Sequence, residues 1–236
     1  LGHSIPPRKK FESGFENYEK FYKLYLMLKK RIIPTLLYSE LGLVKGTKFD
    51  SWRRVGPVLP AVKVYNSREV DELIFLDIAA TKNNSDIDYE TIRELSKFCF
   101  VPLTVGGGIK NIDQVKKLLE LGADKISINS EAYNNPKLIE KVASEFGCQC
   151  VVASIDAKKI GKEWTCYSDS GTRDQQINPI FWSNQLEELG AGEILITSID
   201  KDGTNKGYDL ELISNITRNV KVPVIASGGA GNYDDM

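Results

Sequence analysis

The chain has 236 residues, of which 42% are hydrophobic and 27% are charged, and its formal net charge is −1. This composition is typical of a globular protein that can bury a sizeable core. The near-neutral charge does not indicate a polyanion-binding surface, so we expect no nucleic-acid partner. No apolar run reaches the roughly 18–20 residues that span a bilayer, and the polar start does not resemble a signal peptide. We therefore expect a cytoplasmic protein without membrane insertion.

The first 26 residues do not share the pattern of the rest of the chain. They are basic and aromatic, and they contain the single histidine, His3. We expect residues 1–26 to be an extension outside the fold and residues 27–236 to form one domain. That domain contains no histidine and no Cys-x-x-Cys pair among its four cysteines. We therefore expect free thiols and predict no metal site and no cofactor.

From residue 31 onward, short β-branched runs alternate with amphipathic segments. Seven runs are predicted strands: 31–38, 72–78, 101–105, 125–129, 150–156, 193–199 and 222–227. They are nearly continuous in apolar character, as strands buried on both faces are. The segments 111–122 and 134–147 have helical periodicity, begin near Asn111 and Pro136, and end on glycine. This alternation predicts a parallel α/β fold.

The chain contains an internal repeat. The run "VPLTVGGGI" at 101–109 returns as "VPVIASGGA" at 222–230, at an offset of 121 residues. A repeat of this length that holds four strand–helix units is half of an eight-stranded (βα)8 barrel of the TIM type. The counterpart of the strand at 125–129 would fall beyond residue 236. We therefore expect two half-barrel repeats that lack the last strand–helix unit, which leaves an open edge.

Glycine-rich turns follow two of the predicted strands. The carboxyl ends of the strands carry the active site in such barrels, and bare N–H groups ahead of a helix bind anions. Two phosphate sites are predicted, one at Gly106, Gly107, Gly108, Asn129 and Ser130, and one at Gly203, Thr204, Gly228 and Gly229. Two such sites suit a substrate with a phosphate at each end. The alternative is that the glycines only permit tight turns.

Several stretches resemble one known family. Among them are "RIIP", "LVKG", "DELIFLDI", "PLTVGGGI", "GADKISINS", "SIDAKK", "GAGEILITSIDKDGT" and "PVIASGGAGN". Over residues 27–236 the chain closely resembles the cyclase subunit of imidazole-glycerol-phosphate synthase. The resemblance implies a (βα)8 barrel paired with a glutaminase subunit of the HisH type. Ammonia would pass along the barrel axis and react at the mouth with a bis-phosphorylated ribulosyl nucleotide, in a lyase reaction of histidine biosynthesis.

The resemblance also implies roles for charged residues at the amino ends of the strands. The family has a ring of four charges at the tunnel entrance, and its positions correspond to Arg31, Glu72, Lys125 and Glu193. We call these four residues the charged ring and predict that they form the ammonia gate. Asp124 matches a position that contacts the glutaminase. Without the resemblance, these residues would be interpreted as charges that face solvent at strand ends.

The predicted mouth differs from the family pattern at one position. The family uses two carboxylates as general acid and base, and Asp156 matches the one on the fifth strand. The first-strand position holds Leu37, which cannot transfer a proton. Glu40, three residues on, is not an obvious substitute.

An altered mouth beside an intact charged ring resembles a paralogous branch of the family. Members of that branch act in lipopolysaccharide and other surface-polysaccharide biosynthesis, with a glutaminase homologue and a separate amidotransferase-like enzyme. They help to convert an acetamido group on a sugar to an acetamidino group, which would make the substrate a phosphorylated sugar or a sugar nucleotide. We predict that the chain belongs to this branch. Alternatives are the histidine-pathway cyclase, a non-catalytic ammonia-conducting scaffold, and a phosphosugar isomerase barrel.

Overall fold

The computed structural model describes residues 30–40, 42–83 and 85–235. The chain divides into two units between Ile32 and Ile33, and the fold below is that of the second unit. The predicted extension, residues 1–26, lies outside the described residues.

The described residues form eleven strands and eight α-helices. The strands are β1 (Thr35–Ser39), β2 (Gly42–Thr47), β3 (Asp50–Gly56), β4 (Leu73–Asp77), β5 (Leu103–Gly106), β6 (Lys125–Ile128), β7 (Val151–Ile160), β8 (Glu163–Ser168), β9 (Arg173–Asp174), β10 (Glu193–Ser198) and β11 (Val224–Ser227). The helices are α1 (Val58–Ser67), α2 (Ile78–Lys82), α3 (Tyr89–Ser96), α4 (Ile112–Glu120), α5 (Ser130–Asn134), α6 (Lys137–Phe146), α7 (Pro179–Glu188) and α8 (Leu210–Thr217).

Seven strands form a parallel sheet in the order β11-β10-β7-β6-β5-β4-β1. These are the seven strands predicted from the apolar runs, and helices connect them as expected. The fold is therefore a parallel α/β fold of the TIM-type (βα)8 class, which confirms the predicted class. Within the described part of the chain, β11 pairs with β10 alone.

Two antiparallel hairpins were not predicted. The β2–β3 hairpin follows β1 and pairs with it through β2, while β8 folds back on the long strand β7 and pairs with β9. Both hairpins follow the carboxyl ends of parallel strands. They therefore add backbone and side chains to the end of the barrel where a site is expected.

The helices pack on the outside of the sheet as their sequence pattern predicts. The Asn111 side chain accepts a hydrogen bond from the Gln114 N–H and caps α4, whose Val115 and Leu118 are fully buried. Most of the apolar core lies between helices and sheet. A separate small cluster takes one residue from each of three strands, Ile74 of β4, Val152 of β7 and Leu195 of β10, and the chain neighbours of these residues belong to the main core. Since strand side chains alternate between faces, this cluster occupies the barrel interior.

Candidate functional site

A cavity of about 510 Å³ lies at the carboxyl ends of the parallel strands. Predicted residues that line it are Leu37, Gly107, Gly108, Asn129, Ser130, Asp156, Gly203, Gly228 and Gly229. They come from the ends of different strands and from the loops that follow, which is where barrels of this class carry their active sites. The structure thus brings most of the predicted mouth residues to one cavity.

Asp156, near the carboxyl end of the part of β7 that belongs to the parallel sheet, is the most perturbed acid in this cavity. Its side chain is buried, and the Asn129 Nδ2 donates to its Oδ2 at 2.9 Å. Burial raises the pKa of Asp156 to about 7, against the lowering effect of the Asn129 hydrogen bond, and the Asp202 carboxylate raises it further. Near neutral pH both protonation states are populated, which suits a group that gives and takes a proton.

The cavity wall at the first-strand position is apolar. Leu37 lines the cavity and lies in register with Val44 of β2 and Leu76 of β4. Glu40 is exposed at the end of β1, where its Oε1 accepts a hydrogen bond from the Asn83 Nδ2 at 2.7 Å. Glu40 is not among the residues that line the cavity, so it does not stand in for a carboxylate at position 37.

Packing alone requires glycine at two positions of the glycine-rich turns. Gly107 and Gly229 have φ values of 105° and 106°, and a Cβ at either position would overlap backbone atoms of Asp77 or Gly207. The Gly108 N–H donates to the Thr81 hydroxyl at 3.0 Å, so one N–H of the first turn already has a partner. The phosphate sites therefore stay predictions.

Two of the nine predicted phosphate-site residues do not line the cavity. Gly106 lies inside the sheet, where a Cβ would meet Leu76 and Ser127 at 2.8 Å. The Thr204 hydroxyl donates to the Lys201 carbonyl at 2.7 Å. Their positions indicate a packing role for Gly106 and a turn-stabilising role for Thr204.

Three of the four residues of the charged ring meet at the amino ends of the strands. The Lys125 Nζ lies 2.9 Å from the Glu72 Oε2 and 3.0 Å from the Glu193 Oε2. Both carboxylates are largely buried. Arg31 belongs to the other unit of the chain, so its membership of the ring stays a prediction. The Asp124 carboxylate accepts a hydrogen bond from the Leu103 N–H at 2.8 Å, which ties it to the start of β5.

Between the two ends, the barrel interior consists of layers of different polarity. Above the Lys125 layer lies the apolar cluster of Ile74, Val152 and Leu195. Next along the strands come the hydroxyl side chains of Ser127, Ser154 and Thr197, which line the floor of the cavity. An apolar layer disfavours an ion much more strongly than a small neutral molecule.

Sequence reasoning missed the contribution of the β2–β3 hairpin. Its residues Lys45, Gly46, Phe49 and Trp52 line the cavity. The Lys48 N–H donates to the Asp202 carbonyl at 2.9 Å, which holds the hairpin against the loop after β10. The segment "LVKGTKFDSWRR" contains glycine and several charges, and its weak alternation is a poor strand signal.

Four acids that line the cavity were also not predicted: Asp77, Glu131, Asp169 and Asp202. The Asp77 carboxylate accepts hydrogen bonds from the N–H groups of Ala79, Ala80 and Asp88, so it caps α2 and both of its oxygens have backbone partners. Burial raises the pKa of Asp202, while the Phe49 N–H and the Lys45 ammonium act to lower it. The only sequence feature that could have indicated Asp77 and Asp202 is their position at or near the end of a predicted strand.

Comparison with known proteins places the chain in a family. The model of the family described as "Histidine biosynthesis protein" (His_biosynth) matches residues 31–236, and the chain belongs to this family. It is 47% identical over 211 residues to the imidazole glycerol phosphate synthase subunit HisF of Bacillus cereus (strain Q1), a match that covers 89% of this chain and 84% of the relative. It is 44% identical, with the same coverage, to the subunit HisF of Streptococcus mutans serotype c.

A third relative bears on the paralogous branch. A Pseudomonas aeruginosa protein whose name marks it as a candidate imidazole glycerol phosphate synthase subunit, hisF2, is 46% identical over 211 residues, again 89% of this chain and 84% of the relative. The names of these relatives favour the histidine-pathway alternative over the polysaccharide branch. In the described part of the chain, no helix combines the length and apolarity needed to cross a membrane.

Proposed function

We propose that the chain is the ammonia-accepting barrel subunit of a glutamine-dependent amidotransferase of the imidazole glycerol phosphate synthase type. The observation that carries this proposal is the arrangement of the barrel interior. A lysine paired with two buried glutamates lies at the amino ends of the strands, and a buried carboxylate with a pKa of about 7 lies at the carboxyl ends. An ammonia path with a proton-transferring group at its far end needs both features.

The charged ring suits entry of neutral ammonia. Lys125 is held by Glu72 and Glu193 at ion-pair distance, so a small polar molecule can exchange hydrogen bonds with these groups without leaving a bare charge. The apolar layer of Ile74, Val152 and Leu195 then excludes ammonium. Ammonia would come from a glutaminase subunit that binds the face around Asp124.

The cavity suits a phosphorylated substrate. The turns at Gly107–Gly108 and Gly228–Gly229 both border it, and Asp156 lies between the strands that lead to them. In the histidine-pathway reaction, which the names of the relatives support, ammonia adds to a bis-phosphorylated ribulosyl nucleotide. Asp156 would take a proton from the attacking nitrogen and return it to the leaving group.

Leu37 favours a second candidate function. A cyclase that lacks one of two acid–base groups is expected to be slower by about 10²–10⁴-fold. The apolar wall around Leu37 therefore supports transfer of ammonia to another acceptor, such as an acetamido sugar, together with a separate amidotransferase-like enzyme. In the extreme case the barrel only conducts ammonia.

The test compares this chain with the Streptococcus mutans subunit HisF under identical conditions. Both are supplied with the bis-phosphorylated ribulosyl nucleotide and either free ammonia or glutamine plus the glutaminase subunit of that organism. Turnover by this chain within about tenfold of the control would support the histidine-pathway role. Glutaminase binding with turnover lower by about 10²–10⁴-fold would support the second candidate. Failure both to bind the glutaminase and to use free ammonia would overturn the proposal.

A further inference from the structure

The β2–β3 hairpin brings two aromatic rings to the mouth of the cavity. Phe49 and Trp52 both line it, with ring centroids 6.5 Å apart and planes tilted by 41°. Trp52 is 37% exposed, whereas the other two tryptophans, Trp164 and Trp182, are 8% and 4% exposed. Trp52 is thus the tryptophan that a ligand in the cavity can reach.

The hairpin backbone is bent in a way that places these rings. Lys48, Phe49 and Ser51 have φ values of 54°, 60° and 55°, in the left-handed region that residues other than glycine seldom adopt. Such a conformation is strained and persists where surrounding contacts impose it, which is common at ligand sites. Here the bend turns Phe49 and Trp52 toward the cavity.

Each of the two rings lies close to a glycine. A Cβ at Gly46 would lie 2.8 Å from the Trp52 Cε3, and a Cβ at Gly171 would lie 2.7 Å from the Phe49 Cδ2. Each ring therefore packs closely on bare backbone. Phe49 lies against Gly171, and its ring is a close neighbour of the Trp52 indole.

We propose that Trp52 is a specificity-determining residue whose indole face stacks on a planar ring of the ligand. This inference rests on the proposed function only in using the same cavity for a phosphorylated ligand. The glycine turns would take the phosphate, and the Trp52 face would favour ligands that carry a flat heterocycle over phosphosugars that lack one. Stacking needs an accessible aromatic face near the predicted phosphate sites, and Trp52 lines the same cavity as the glycine turns.

Direct binding measurements test this role with two phosphate probes. AMP carries a planar ring and ribose 5-phosphate does not, and titration calorimetry gives the affinity of each for the full chain. We expect AMP to bind more tightly and to quench tryptophan fluorescence. Trp52→Ala should weaken AMP binding by roughly 5- to 150-fold and leave ribose 5-phosphate binding unchanged, since base–aromatic stacking contributes about 1–3 kcal/mol.

Two further variants make the test specific. Trp52→Phe retains an aromatic face and should retain most of the preference for AMP. Val55→Ala is the matched control, because Val55 is 45% exposed on the same strand and does not line the cavity. Equal losses for both probes in Trp52→Ala, or the absence of any AMP preference in the parent, would overturn the inference. If Trp52→Ala does not fold, quenching of the parent by AMP but not by ribose 5-phosphate decides the question.

These measurements separate the inference from the proposed function. Neither probe requires ammonia, a glutaminase or turnover. Trp52-dependent AMP binding in a chain without cyclase or ammonia-transfer activity would support the stacking role and contradict the proposed function. Normal turnover with no effect of Trp52→Ala on AMP binding would support the proposed function and contradict the stacking role.

Discussion

The two ends of the barrel differ in the surroundings of their buried charged groups. At the amino ends, the Lys125 ammonium lies within 3.0 Å of carboxylate oxygens from both Glu72 and Glu193. At the carboxyl ends, Asp156 is buried with one hydrogen bond from Asn129 and faces a second acid, Asp202. The first arrangement gives each of these three charges a partner of opposite sign at ion-pair distance. The second leaves a carboxylate whose charged form is costly, which is the usual condition of a group that moves protons.

We expect the largest effect from removing the buried carboxylate of Asp156. Asp156→Asn keeps the shape and the hydrogen bond with Asn129 but cannot exchange a proton. We expect ammonia-dependent turnover to fall by about 10²–10⁴-fold, measured as kcat with saturating ammonia. Glu163→Gln, at an exposed carboxylate on β8, is the control. A turnover that survives Asp156→Asn would show that the reactive end lies elsewhere.

At the amino ends of the strands, we expect a substitution to lower the stability of the protein. Lys125→Met removes the cation that contacts both Glu72 and Glu193, and loss of one partner of a buried pair typically lowers the free energy of unfolding by about 3–5 kcal/mol. Urea unfolding measures this change. Arg93→Met serves as the control, since Arg93 forms an exposed pair with Glu90 at 2.7 Å and should cost less than about 1 kcal/mol. Equal effects would mean that the charged ring is not a buried, compensated cluster.

Asp156 should also make stability depend on pH. Its native pKa of about 7 lies above the ordinary value of 3.8, so the native state binds the proton more tightly than the unfolded state does. Stability is then lost as pH rises between these two values. The free energy of unfolding of the parent should fall by about 3 kcal/mol between pH 5 and pH 8 because of this group. Asp156→Asn lacks the titrating carboxylate and should not show this part of the fall. Parallel pH profiles from chemical denaturation would contradict an uncompensated Asp156.

The parallel sheet was predictable because its physics is local. Strands buried on both faces are nearly continuous in apolar character, and the runs at 72–78 and 193–199 have this pattern apart from Glu72, Asp77 and Glu193. The cavity position followed from topology, since the carboxyl ends of parallel strands meet. The contacts of Lys125 required more, because Glu72 and Glu193 are 53 and 68 residues away from it in sequence. Only the family resemblance grouped these three residues.

The hairpins and the occupied N–H groups were not predictable in the same way. The bend at Lys48, Phe49 and Ser51 uses backbone conformations that these residue types disfavour, so tertiary contacts override local preference there. The hydrogen bond from the Gly108 N–H to Thr81 depends on where α2 ends. A glycine-rich turn read from sequence therefore overstates the number of N–H groups that remain available to a phosphate.

The smallest expected effect is a gain at the reactive end. Leu37→Asp places a carboxylate on the cavity wall beside Leu76, in the same cavity as Asp156. If the apolar residue at position 37 limits cyclisation, the variant should raise cyclase turnover with free ammonia by about tenfold, a fraction of what an acid–base group can contribute. Its stability should fall by about 1–2 kcal/mol, because a polar group replaces a partly buried leucine. Leu37→Asn has the same shape without a proton to transfer, so it should show the stability loss and no gain in turnover. A gain shared by both variants would indicate relief of crowding, and no gain in either would indicate that the ammonia acceptor of this barrel is a different substrate.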